Sequence, residues 1–147
     1  MFIKLLQIAI PFIWVGLVAG LSFVETPLKF RAPGITLPLG LGIGRLVFYA
    51  LNKIELVLVV LLIVSFILRS PANTKIFIAT GIVGVILLLQ TFWMLPVLDA
   101  RAVAVIEGTN EPGSPVHIIY IVAEVIKLIT LSVLGVLIAR TYLTTGQ

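Results

Sequence analysis

The chain contains no cysteine and only one histidine, His117, among its 147 residues. Without cysteine it can form neither a disulfide nor a thiolate metal site. With a single histidine, a haem or zinc site built by this chain alone is not expected. The sequence also has no serine–histidine–aspartate signature and no phosphate-binding P-loop motif. It therefore predicts a protein that is not an enzyme and that has no metal and no cofactor.

Charged residues are scarce as well. They make up 11% of the chain, and hydrophobic residues make up 61%, whereas soluble proteins are about 25% charged. Four apolar stretches each approach the roughly 20 residues that cross a hydrocarbon core of about 30 Å. These stretches predict transmembrane helices at about residues 5–24, 46–68, 76–95 and 118–139. The predicted fold is a single all-α domain over residues 1–147, an integral membrane four-helix bundle.

Two connections between the predicted spans have a character of their own. Residues 27–44 carry three prolines and four glycines among aliphatic residues, which predicts a long, interrupted first loop. An apolar loop of this kind is expected in the membrane interface or folded back into the bundle. Residues 96–108 predict a short, partly amphipathic interfacial helix before the last span, with Gly108 just past its end.

The net charge of +4 is typical of basic loops near anionic lipid, so lipid is an expected partner and nucleic acid is not. Lysine and arginine are equally frequent on both sides of a four-span topology, so the positive-inside rule gives little direction. The side with both termini is purely basic, which favours a cytoplasmic location for the termini. Its basic residues are Lys4, Arg69, Lys75 and Arg140.

The last apolar segment carries a stripe of polar groups at helical spacing. His117, Tyr120, Glu124 and Lys127 are separated by three, four and three residues, so at about 100° per residue they share one helix face. Charged groups in a bilayer cost roughly 2.5–3.5 kcal/mol each on insertion scales and therefore face a bundle, a cavity or a partner. Two interpretations stay open. The stripe is either an internal salt bridge between Glu124 and Lys127, or a pocket for protons, an ion, a lipid head group or a quinone-like ligand.

Further polar residues are expected on the same side of the membrane as the start of the last helix. The predicted intramembrane polar cluster joins the stripe to Arg45, Asn52 and Glu55 of the second span. The charged residues predicted at the interface on this side are Glu25, Lys29, Arg31, Asp99 and Arg101.

Small residues recur at helix-packing spacing in the first and last spans. Gly16 and Gly20 are four residues apart, and so are Gly135 and Ala139. Such pairs let helix backbones approach closely in lipid. The sequence leaves open whether they pack within the chain or against another subunit.

Part of the sequence resembles a known family. Residues 15–30, with a glycine-rich first span, and the glycine run that follows resemble an uncharacterised four-helix integral membrane family. Its members include animal proteins like transmembrane protein 205 and related bacterial proteins of unknown function. The matching positions are Pro27, Phe30, Gly44, Phe48 and His117. The resemblance implies the four-helix topology without any chemistry, and the chain departs from the pattern in its longer first loop and in the charged residues of its last span.

Two functions remain as hypotheses. The first is a non-catalytic accessory or structural subunit that packs against protein subunits of a larger membrane complex. Its support is the small size of the chain and the absence from the sequence of inverted repeats with matching interrupted spans. The second is a small transporter or membrane-embedded ligand-binding protein that uses His117, Glu124 and Lys127.

Overall fold

The computed structural model describes residues 1–109 and 115–144, and these residues form helices without any strand. Four helical stretches are long and apolar enough to cross a membrane. We number them α1, Phe2–Lys29; α2, Leu37–Leu68; α3, Thr74–Ile106; and α4, Pro115–Thr144. The predicted all-α class and the four apolar helices are confirmed, and they support a multi-pass membrane protein.

The first connection is much shorter than predicted. Because α1 continues to Lys29 and α2 begins at Leu37, the prediction of a long loop over residues 27–44 is wrong. Pro38 lies in the first turn of α2, where a backbone N–H needs no partner within the helix. The Thr36 side chain caps this helix by accepting a hydrogen bond from a backbone N–H of the first turn.

Two glycines near the start of α2 allow the chain before it to pack closely against the helix. A Cβ atom at Gly40 would overlap the ring of Phe30, and a Cβ atom at Gly44 would lie 2.9 Å from Lys29 Nζ. These glycines therefore serve close packing inside a helix. Their spacing in the sequence is equally typical of a loop, which explains the wrong prediction.

Residues 96–106, predicted as part of a separate short helix, are helical, but they are the last part of α3. Its α-helical part, Leu95–Ile106, follows directly after the π-helical turn Gln90–Met94. Gly108 has a φ of 82° and ends this helix, as the sequence predicts. The independent interfacial helix is therefore replaced by an extension of the third span.

α1 and α3 each contain a π-helical turn shortly before a proline. The turn Ala19–Glu25 precedes Pro27, and the turn Gln90–Met94 precedes Pro96. A proline ring clashes with the carbonyl group four residues earlier and supplies no N–H donor, so a wider turn relieves the clash. A π turn also changes which side chains face the interior, and such turns are frequent at functional sites.

The larger hydrophobic core lies in the half of the bundle that holds the chain termini. There α4 packs against α1 and α3, and α1 also packs against α2. The buried residues of this core are Ile10, Trp14, Val18, Leu62, Phe66, Ile76, Ala79, Val83, Leu87, Leu131, Leu134 and Ile138. A smaller apolar cluster that includes Met94, Leu95 and Tyr120 lies towards the other end. Along α3 and α4, polar residues occupy the layer between the two.

A buried glutamine, Gln7, links three helices at the end of the bundle that holds the chain termini. Gln7 Nε2 donates to the carbonyl oxygens of Ser65 at 2.7 Å and Arg69 at 2.9 Å, and the Tyr142 hydroxyl donates to Gln7 Oε1. The Ser65 carbonyl also accepts from the backbone N–H of Arg69, and the Arg69 carbonyl lies just past the end of α2, where no helical N–H follows. The hydrogen bonds of Gln7 link α1, α2 and α4 at one point.

Candidate functional site: a buried polar cluster beside a cavity

Lys127 on α4 is completely buried and lies at the centre of the polar layer. Its Nζ atom lies 2.5 Å from Glu55 Oε1 and 2.7 Å from Glu124 Oε1, and it donates to Gln90 Oε1 at 2.7 Å. An ammonium group has three N–H donors. All three therefore have an acceptor inside the bundle.

The two carboxylates around this lysine have further donors. Trp14 Nε1 donates to Glu55 Oε1 at 2.7 Å. Gln90 Nε2 donates to Glu124 Oε1 at 2.6 Å, and the Ser22 hydroxyl donates to Glu124 Oε2 at 3.0 Å. Among the described residues, no buried side-chain nitrogen or oxygen lacks a hydrogen-bond partner. The charged groups are thus held by hydrogen bonds from other side chains of the bundle.

All four helices contribute to this network, which we call the four-helix polar cluster. Its members are Trp14, Ser22, Glu55, Gln90, Glu124 and Lys127. Ser22 lies within the π turn of α1, and Gln90 is the first residue of the π turn of α3. The two π turns therefore place these side chains beside Glu124. Formally, the cluster contains two acids and one base.

A cavity of about 520 Å³ lies next to the cluster, at the end of the bundle opposite the chain termini. The end of α1, the start of α2, the end of α3 and the start of α4 enclose it. Its walls are mainly apolar, with Phe30, Phe48 and Leu98 among the lining residues. Tyr120 is buried, lines the cavity and lies one helical turn before Glu124 on the same face of α4, so this side chain lies between the cavity and the cluster.

Cationic groups line the cavity in excess over acids. Arg45 forms a bidentate ion pair with Asp99, at 2.5 Å from Nε and 3.1 Å from Nη2, which ties α2 to α3. The Lys29 side chain is only 8% exposed and lies 3.4 Å from Glu25 Oε2. Arg101 also lines the cavity. The cavity lining therefore has three cationic side chains, Lys29, Arg45 and Arg101, and one acidic side chain, Asp99.

The structure separates the predicted stripe of α4 into two parts. Tyr120, Glu124 and Lys127 are buried, and the predicted ion pair between Glu124 and Lys127 is present. His117 is exposed and lines the cavity instead. It lies too near the bundle end to join the other three in one interior site.

The three α2 residues predicted in the intramembrane polar cluster lie in three different places. Glu55 belongs to the cluster, where it is the second acid on Lys127. Asn52 is buried, but it donates to the Thr91 hydroxyl at 2.9 Å and so links α2 to α3 outside the cluster. Arg45 lies about two helical turns before Asn52 on α2, nearer the end of the bundle, and it lines the cavity. The single predicted polar cluster is therefore a charge network with a cavity beside it.

Of the residues predicted at the interface, most surround the cavity. Lys29, Asp99 and Arg101 line it, and Glu25 pairs with Lys29. Arg31 is exposed in the first connection, away from the cavity lining.

The small residues predicted to serve helix packing differ in whether they contact another helix of the chain. Gly135 is buried, and a Cβ atom there would lie 2.8 Å from the Phe12 ring, so this glycine serves packing of α4 against α1. Ala139 is partly buried on the same helix. Gly16 is exposed and Gly20 is partly buried, and neither would bring a Cβ atom within 4 Å of another group. These two glycines face outwards.

Three members of the cluster are missing from the sequence-based prediction. Trp14 has the pattern of an interface aromatic, and Ser22 lies near the end of its span. Gln90 has the clearest sequence signal of the three, because an amide in the centre of an otherwise apolar span needs a partner inside the bundle.

Among the described residues, no group of three histidine, aspartate or glutamate side chains could hold a metal ion.

No family model matches this chain, and no curated protein or solved structure matches it. The resemblance to the transmembrane protein 205-like family therefore stays a prediction, and arguments about function depend on the site itself.

Proposed function

We propose that this protein binds a small amphipathic anion, an acyl chain with a phosphate or carboxylate head group, in the cavity at the end of the bundle. The observation that carries the proposal is an apolar cavity of about 520 Å³ whose lining includes three cationic side chains, Lys29, Arg45 and Arg101. This volume is within the 300–1,000 Å³ that is typical of small-molecule sites. The apolar walls suit the chain of the ligand, and the guanidinium groups suit an anionic head group.

The proposal is tested with two single-chain lipids of equal acyl length, lysophosphatidylglycerol and lysophosphatidylcholine. We expect the purified protein in neutral detergent to bind the anionic lipid at least about tenfold more tightly, a difference of about 1.4 kcal/mol. Isothermal titration calorimetry measures both affinities. Equal affinities would contradict the assignment of an anionic head group.

A matched pair of variants locates the binding site. Ala102 lines the cavity, whereas Ala100, two residues away on α3, is exposed. Ala102→Trp fills the cavity and should abolish binding, and Ala100→Trp should leave it unchanged. If both variants bind as the unmodified chain does, the ligand lies elsewhere.

A second candidate function is the accessory subunit, and the observation that favours it is the outward face of Gly16 and Gly20. Small residues on a lipid-facing surface suit close packing of a partner helix. Gly16→Leu should then release the chain from its complex, as measured by the size of the particle extracted from native membranes. Gly135→Leu, which acts on internal packing, should alter stability without a direct effect on assembly. An unchanged particle with Gly16→Leu would contradict the subunit function.

We also propose that both termini face the cytoplasm, so that the cavity opens on the opposite side. The support is the purely basic character of the terminal side, with Lys4, Lys75 and Arg140. Because the chain has no cysteine, single introduced cysteines give an unambiguous readout of sidedness.

A further inference from the structure

The four-helix polar cluster contains one more acid than base. Lys127 contacts Glu55 and Glu124 at the same time, and the three side chains are at most 2% exposed. If all three were ionised, the cluster would carry a net charge of −1 inside four apolar helices. An uncompensated charge in such an environment is costly. One additional positive charge would remove this cost.

We propose that the cluster is a binding site for one exchangeable proton, shared by Glu55 and Glu124, and that it is electrically neutral when the proton is bound. The site requires no ligand in the cavity and is therefore independent of the proposed function. A proton suits the space better than a metal ion, because the three N–H groups of Lys127 already occupy the centre of the carboxylates.

The hydrogen bonds favour Glu55 as the side chain that carries the proton. Trp14 and Lys127 both bond Oε1 of Glu55, so a proton on this group would sit on Oε2. Glu124 receives donors on both oxygens, from Lys127 and Gln90 on Oε1 and from Ser22 on Oε2. Both oxygens of Glu124 therefore already accept hydrogen bonds, whereas the donors to Glu55 share one oxygen.

Each of the four helices contributes a polar or charged side chain to the surroundings of Glu55 and Glu124. α1 supplies the N–H donor of Trp14 and the hydroxyl of Ser22, and α3 supplies the amide of Gln90. α4 supplies the Lys127 ammonium and the Tyr120 phenol, and the second acid, Glu55, comes from α2. Within the described part of the chain, Lys127 is the cation in ion-pair contact with these acids.

Tyr120 provides the route for the proton. Its hydroxyl oxygen can accept a proton from the cavity while its own proton passes to Glu124, which leaves Tyr120 unchanged. Lys127 contacts Oε1 of both acids, so it can give a proton to Oε1 of Glu55 and take one from Oε1 of Glu124. A half-turn of the Glu55 carboxyl group then places the O–H at the outer position and returns an unprotonated oxygen to Lys127 and Trp14. The net result is one proton moved from the cavity to Glu55, with the ammonium restored.

Infrared difference spectroscopy at neutral pH tests the proposal on the purified full-length protein. A protonated carboxylic acid has a carbonyl stretch that shifts in D2O, and carboxyl-labelled glutamate assigns the stretch to glutamate in the unmodified chain. We expect this band in the unmodified protein. Glu55→Gln and Glu124→Gln should each abolish it, because each leaves one acid and one base. The exposed Glu107→Gln is the matched control and should retain it.

Two results would overturn the proton site: no protonated glutamate band in the unmodified protein, or a band that persists in a folded Glu55→Gln or Glu124→Gln variant. The labelled, unmodified chain gives a decisive result even if a variant fails to fold. Tyr120→Phe tests the route separately. It should keep the band but slow its exchange into D2O, and exchange at the unmodified rate would overturn the role of Tyr120.

Discussion

Lys127→Met should lower the free energy of unfolding by about 3–5 kcal/mol, because removing one partner of a buried ion pair leaves the others uncompensated. Lys127 is the cation between Glu55 and Glu124 and is completely buried. The methionine keeps much of the side-chain volume, so the loss is electrostatic and not a packing defect. Unfolding in mixed micelles with increasing denaturing detergent, followed by far-ultraviolet circular dichroism, measures the effect.

A triple variant separates charge from shape in the same experiment. Glu55→Gln, Glu124→Gln and Lys127→Met together remove every charge of the cluster, so most of the lost stability should return. Lys75→Met is the matched control, since Lys75 is exposed, and it should stay within about 0.5 kcal/mol of the unmodified chain. If Lys127→Met and Lys75→Met were equally mild, Lys127 would be solvated and the buried network would be wrong.

Trp14→Ala should lower the free energy of unfolding by about 3–5 kcal/mol, which is typical when a large buried aromatic is truncated. Trp14 is completely buried and also donates to Glu55 at 2.7 Å. Trp14→Phe keeps much of the ring volume but loses this bond, and removing one partner of a buried hydrogen bond costs about 1–3 kcal/mol. The alanine variant should therefore be the less stable of the two by thermal unfolding.

The other tryptophan provides the control for this pair. Trp93 is 47% exposed, so Trp93→Ala and Trp93→Phe should each have a much smaller effect than the same change at position 14. Thermal unfolding of all four variants in one detergent makes the comparison direct. Similar losses at both positions would show that Trp14 contacts lipid and does not serve the cluster.

The sequence predicts the helical class and the main charged residues because both depend on local patterns. Apolar stretches of bilayer length need no knowledge of tertiary contacts. The spacing of Tyr120, Glu124 and Lys127 places them on one helix face in any α-helix. The contact between Lys127 and Glu55 is different, since it depends on how α2 packs against α4. For this reason a double replacement of Glu124 and Lys127 still leaves the buried acid Glu55 without its base, and the triple variant removes all three ionisable groups.

The positions of Ser22 and Gln90 illustrate a second limit. Both lie in π turns, and a regular period of 3.6 residues gives the wrong facing for side chains after such a turn. The glycines of α2 illustrate a third limit. Gly40 and Gly44 have the spacing of a loop, but the structure uses them for close packing against Phe30 and Lys29. Local composition does not distinguish these two uses of glycine.

The central claim is that the cavity beside the cluster holds an amphipathic anion, and native mass spectrometry of the protein released from its own membrane tests it most directly. We predict one anionic amphiphile bound to each 15.9 kDa chain. The molecule should be absent from Ala102→Trp and present in Ala100→Trp. A chain without a bound molecule, a neutral or cationic ligand, or equal occupancy of the two variants would contradict the account.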